Sequence, residues 1–225
     1  MKKQFLAILF ICVTSISWGQ IHEVGVFIGG ANYVGDVGKT NYIFPNKIGA
    51  GLVYKYNLNP RIALRGNLSL IILHGDDAES SNEIRKKRNF NFNNSVKELA
   101  IGIEYNFFEY DMTSVDKAYT PYILLEIAGF NYKSVSSEIT TGSYNLKSKT
   151  AYSMPIGLGF KGRLADNIGF AIETRINYTF QDDLDYSTYK VPSLDFGGNS
   201  NDWYMFTGIS LVYAFGRPSC YTDAR

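Results

Sequence analysis

Along residues 170–180, Phe170, Ile172, Thr174, Ile176, Tyr178 and Phe180 hold one parity, while Ala171, Glu173, Arg175, Asn177 and Thr179 hold the other. Successive side chains of a β-strand point to opposite faces, so a period of two predicts a strand with one apolar and one ionic side. Seven further stretches repeat the pattern. The predicted strands span approximately 21–32, 47–57, 61–74, 96–108, 120–133, 151–164, 167–181 and 203–216. Two of them are untidy: Glu23 shares its parity with Phe27, and Glu126 shares its parity with Leu124.

The links between these strands alternate in length. Residues 57–60 and 165–167 are tight turns, and 109–119 is intermediate. Residues 33–46 are rich in Gly, Asp and Asn. "HGDDAESSNEIRKKRNFNFNNS", "SVSSEITTGSYNLKSK" and "DDLDYSTYKVPSLDFGGNSND" are long and polar. An even strand number with short turns at one end and long loops at the other predicts an all-β fold, an eight-stranded antiparallel transmembrane (outer-membrane) β-barrel. No sequence repeat, low-complexity tract or second domain interrupts it.

The two parities differ in kind. In the last segment Trp203, Met205, Ile209, Leu211, Tyr213 and Phe215 oppose Tyr204, Phe206, Gly208, Ser210, Val212 and Ala214. In the fourth, Leu99, Ile101, Ile103, Tyr105 and Phe107 oppose Glu98, Ala100, Gly102, Glu104 and Asn106. The apolar side carries aliphatics in its middle and aromatics near its ends, the order that lipid and its two interfaces impose. The polar side is crowded with small residues, which suits a narrow lumen. It also carries Glu23, Lys55, Arg65, Glu98, Glu104, Glu126, Lys161, Arg163, Glu173 and Arg175. Five acids and five bases in a low-dielectric interior are expected to pair, and an eight-stranded barrel is just wide enough for its side chains to fill it.

Composition adds little to this. Lys and Arg number 22 against 21 Asp and Glu, so nothing argues for nucleic acid. The start, "MKKQFLAILFICVTSISWGQ", has a basic head, a short apolar run and small residues Ser17 and Gly19, which predicts a secretory signal peptide over 1–19. The barrel is then expected over 20–216 and a tail over 217–225. No later stretch approaches the ~20 apolar residues of a membrane helix. Cys220 is the one cysteine after the leader, so no internal disulfide is expected.

Candidate chemistry is sparse. His74 precedes Asp76 and Asp77 at the end of the third segment, but no triad spacing accompanies it. Asp182, Asp183 and Asp185 lack the glycine and spacing of a calcium loop and read as solvated acids. The basic run "IRKKR" reads as a solvated loop, with lipopolysaccharide phosphates as the alternative partner. No metal, cofactor or catalytic site is expected, and a lipid-modifying enzyme is the weaker alternative.

The blocks "EVGVFIGGANYVGDVG", "NYIFPNKIGAGLVYKYNLNPRIALR", "ELAIGIEYNFFEY", "YTPYILLEIAGFNYK" and "YAFGRPSC" resemble the PorG family. These are outer-membrane barrels of the type IX secretion system, shared with gliding motility in Bacteroidetes. The resemblance implies a non-catalytic structural part that docks the periplasmic ring of PorK and PorN. With both termini periplasmic, the ring can reach only the short turns and the tail. Docking is therefore expected through Glu109, Asp111, Asp116, Arg217 and Cys220. A stand-alone anchor barrel is the alternative.

Overall fold

The computed structural model describes residues 22–112, 119–140, 142–197 and 200–216. Eight antiparallel strands close into a single ring, each hydrogen-bonded to its sequence neighbours and β1 to β8. They are β1 His22–Val34, β2 Lys47–Asn59, β3 Ile62–Asp76, β4 Asn91–Asn106, β5 Tyr119–Thr140, β6 Ser143–Ala165, β7 Ile168–Thr179 and β8 Trp203–Phe215. Closure pairs every strand on both sides, which lipid demands because it offers no partner for a bare edge.

Side-chain parity sorts inside from outside. Val26, Leu52, Leu68, Ile101, Ile127, Leu158, Ile172 and Leu211 all stand exposed on the outer wall. Around this aliphatic band run two aromatic girdles. Tyr54, Tyr105, Tyr119, Phe160, Tyr213 and Phe215 ring the short-turn end. Tyr152, Phe180 and Trp203 ring the long-loop end, and Tyr178 meets Trp203 edge-on with ring centroids 4.9 Å apart. A closed barrel with an oily exterior and an ionic interior is a membrane-spanning barrel of the outer-membrane type. The two untidy strands resolve here: Phe27 and Leu124 point inward with Glu23 and Glu126 and are buried.

Three strands run longer than their alternation predicts. A strand needs ~9–11 residues to cross a bilayer, whereas β5 has 22 and β6 has 23. The stretch read as a loop over 134–149 is instead a ribbon that continues the β5–β6 pairing out to Thr140↔Ser143. Val135 packs on Val191 and Leu194 at its base, but beyond that the side chains largely meet water on both faces, so no continuous apolar side marks it in the sequence. Gly142 turns the tip with φ +84°, a conformation that glycine adopts without steric cost. Residues 91–95, "NFNNS", likewise join β4.

The band yields a test. Replacing Ile101, at its mid-height, with Lys is expected to destabilise the barrel by about 2–4 kcal/mol in urea titrations from lipid vesicles. Asn93→Lys, on the same face above the band, is expected to change little. Equal effects at the two positions would remove the lipid-facing assignment.

Candidate functional site

The lumen holds an ionic cluster built by strand parity. Glu104 on β4 lies at its centre. Lys55 reaches it from β2 at 2.9 Å, Arg65 from β3 at 3.2 Å, and Lys161 from β6 in a short contact. Arg65 also grips Glu173 on β7, at 2.5 and 3.1 Å. Arg175, fully buried, lies 3.2 Å from Glu173 and 3.5 Å from Glu126. Neutral groups complete the shell: Tyr122 donates to Glu173 at 2.6 Å and Asn67 to Glu126 at 2.5 Å.

The pairing is not one to one. Glu104 takes three cations, whereas the hydrogen bonds found for Glu23 and Glu98 come from neutral donors, the Asn57 amide at 2.9 Å and the Tyr204 hydroxyl. Arg163 sits at the short-turn end, where its Nη1 donates to the Met112 carbonyl at 3.2 Å. Tyr122 and Asn57 were not singled out in the sequence, although each has the parity of a charged neighbour, Glu126 and Lys55.

Glycine opposite the bulky groups makes the cluster possible. Gly159 lies beside Tyr122, and a Cβ there would sit 2.4 Å from the tyrosine Cζ. Gly157 is paired with Arg175, and a Cβ there would meet its Cγ at 3.0 Å. Nearer the long-loop end, Phe27 and Phe206 meet edge to face, and the Arg175 guanidinium lies 5.2 and 5.1 Å from their centroids. Such cation–π contact partly replaces the water that the guanidinium has lost.

The long-loop end is closed by the β7–β8 link. Leu184 is buried among Tyr33, Leu73, Phe92 and Phe130. Its carbonyl accepts from Asn94 at 2.8 Å, and its amide donates to Asp202 at 2.9 Å. The Tyr33 hydroxyl lies against Asp202 and 2.9 Å from Asp185. These acids are therefore not all solvated: Asp185 is fully buried, because the loop folds into the mouth and carries it along. Burial raises the Asp185 and Asp202 carboxyls, and the Asp185 charge raises Asp202 further. Asp182, at the rim, is pushed up to about 6 by burial and by Asp36, Asp185 and Asp183.

The basic run also departs from its solvated reading. It forms a short helix, α1 Glu83–Arg88, capped by the Asn82 side chain. Arg85 donates to the Gly38 and Gly35 carbonyls, both at 2.9 Å, and Arg88 donates to Asp77 and to the Asp36 carbonyl. Asp77 is buried, which alone would raise it, but Arg88 and the Gly38 amide hold its carboxyl below the usual range. The helix thus clamps the β1–β2 link, leaving Lys86 and Lys87 exposed. His74 faces the Phe92 carbonyl at 2.7 Å, and the Asp76 side chain accepts from the Ala78 amide.

At the short-turn end, Tyr110 and Met112 fold under the barrel, and the Lys161 ammonium lies 4.4 Å from the Tyr110 ring. Glu109 is exposed and paired with Arg61 at 3.3 Å, and Asp111 is half-buried. Asp116, Arg217 and Cys220 lie outside the described residues.

Two outcomes follow from this geometry. Arg175→Leu leaves buried Glu126 and Glu173 short of a cation and is expected to cost about 3–5 kcal/mol, read as a lower urea midpoint or a lower temperature for the heat-induced gel shift. At the mouth, acids raised by folding stabilise the closed loop fully below the ordinary aspartate value, and that contribution is lost as pH rises through the folded values. Hydrogen exchange at the Leu184 amide, corrected for its intrinsic rate, is expected to quicken between about pH 4 and 7. Asp182→Asn is expected to flatten the lower part of that rise.

Solved structures with a similar arrangement include three bacterial barrels. Ail, the attachment invasion locus protein of Yersinia pestis, is 15% identical, with a TM-score of 0.47 over 88% of this chain and 99% of that one. Neisserial surface protein A is 11% identical, with a TM-score of 0.48 over 86% and 97%. The N-terminal β-barrel domain of Pseudomonas aeruginosa OprF is 13% identical, with a TM-score of 0.49 over 88% and 98%. No curated protein matches the chain in sequence. The family described as "Domain of unknown function (DUF6089)" matches residues 2–224, nearly the full length. The chain belongs to the DUF6089 family.

Proposed function

We propose that this outer-membrane barrel is a non-catalytic structural part of a type IX secretion machine and docks a periplasmic ring of PorK and PorN. The observation that carries the structural half of this reading is the filled interior. Arg175, Tyr122, Lys55, Lys161 and Leu124 are all but fully buried within it. A barrel packed in this way passes no cargo through its centre, so it acts through its ends and its lipid face. The secretion half rests on the resemblance of the strand and turn blocks to the PorG family.

In this reading both termini are periplasmic, and the ring meets the short-turn end. Glu109 is exposed there on a segment pinned by the Tyr110 amide to the Pro60 carbonyl at 3.0 Å. An acidic group on a fixed support suits a docking contact. Asp111, Asp116, Arg217 and Cys220 complete the proposed surface.

Pull-down from native membranes tests it. The full chain is expected to bring down the ring proteins, and a chain lacking 217–225 is expected to lose them while keeping its heat-modifiable mobility. A full chain that brings down no ring leaves the stand-alone anchor. A truncated chain that retains the ring removes the tail from the contact.

A further inference from the structure

The β1–β2 link does more than cross the mouth. After Val37, which is buried in the core, and Gly38, the chain turns back down the outer wall of the barrel. Asn32 has the outward parity of β1, beside Val26, Ile28 and Gly30. A polar amide there would face lipid, yet it is only 4% exposed, because residues 41–46 cover it. Its Nδ2 donates to the Asn41 and Tyr42 carbonyls, both at 3.0 Å, and its Oδ1 accepts from the Phe44 amide at 3.3 Å. Pro45 lies so close on Gly30 that a Cβ at that glycine would stand 2.3 Å from the proline Cβ. The Asn46 amide then donates to the Ala31 carbonyl, and β2 begins.

The segment is thus fixed to the wall while its own side chains point away. Tyr42 is 64% exposed, Ile43 62% and Phe44 42%. Three consecutive large apolar side chains held outward would be costly in water. Their height explains them. Val34 is paired with Trp203 and Asn32 with Met205, so the hydrogen bonds to Asn32 set the strap level with the Trp203–Tyr178 girdle. Lys39 flanks it, with its ammonium 4.4 Å from the Phe44 ring centroid, and Lys47 follows. Aromatic and aliphatic side chains beside lysines match the boundary between acyl chains and headgroups.

We infer that residues 41–46 form a strap that beds Tyr42, Ile43 and Phe44 into the bilayer interface beside β1 and β2, widening the lipid contact of the barrel on that side. The occupant of this surface is lipid. The inference rests on the membrane-spanning reading of the barrel, and its test separates the two.

Tryptophan quenching by brominated phosphatidylcholine in reconstituted vesicles provides that test. A chain with Trp18→Phe reports on Trp203 alone and serves as the reference for the girdle. A second chain, with Trp18→Phe, Trp203→Phe and Ile43→Trp, reports on the strap, and Phe44→Trp in the same background repeats the reading at the neighbouring position. Both reporters are expected to be quenched to the extent of Trp203. Adding Asn32→Ala is expected to reduce quenching at position 43, because the strap loses its three hydrogen bonds. Quenching of Trp203 with none at 43 or 44 would overturn the strap and leave the barrel reading standing. Absence of quenching at all three positions would remove both.

Discussion

One carboxylate organises this molecule. Glu104 sits inside a ring of strands with an ammonium on two sides and a guanidinium on a third. Transfer of any one of these charges from water to a barrel interior is costly, and only close, well-directed partners return the cost. The partners come from β2, β3 and β6, between 39 and 57 residues from Glu104 along the chain, so the contacts exist only when the ring is closed in this register. A slip of one residue in any strand would turn its charges toward lipid and its aliphatics inward. The cluster and the oily exterior are therefore two aspects of one constraint. Together they select a single closed arrangement from the many that alternation alone would allow.

The two ends of the barrel are finished differently. At the long-loop end the cap is made of distant chain segments, with Leu184, Tyr33 and Phe92 packed over the lumen and α1 locking the first link through Arg85 and Arg88. Charge there serves cohesion among loops. At the short-turn end, among the described residues, a tyrosine and a methionine are tucked beneath Lys161, and Arg61 holds the Phe107 carbonyl and the exposed Glu109. The proposed division of labour follows this asymmetry: a sealed, self-contained face on one side, and on the other a compact face that presents the exposed Glu109 carboxylate beside Arg61.

Much of this was legible because lipid reverses the usual rule so cleanly. The parity of Glu173 and Arg175 against Ile172 and Ile176 is enough to place both ions inside. Phe27 and Leu124 blurred the pattern for a physical reason: the lumen also needs filler, and an inward aromatic or leucine looks the same in sequence as an outward one. The β5–β6 ribbon was not legible beyond Val135, since a strand with water on both faces has no hydrophobic phase. Nor was the structure of the "IRKKR" segment, whose role depends on carbonyls from another loop. The burial of Asp185 depends on a fold-back that no local spacing encodes. Partners in sequence order were readable; partners brought together by loops were not.

The ribbon has a consequence of scale. From Tyr152, at the girdle, to Ser143, at the tip, β6 continues for nine residues, which at ~3.4 Å per residue is roughly 30 Å of paired strand. That is about as long again as the membrane is thick. Anything approaching along the barrel axis from this side meets Gly142 and its neighbours first. The farthest-reaching part of the molecule is thus a narrow, hydroxyl- and lysine-rich blade, braced at its base where Val135 packs on Val191 and Leu194 and where Asp183 takes Ser134 and Lys149.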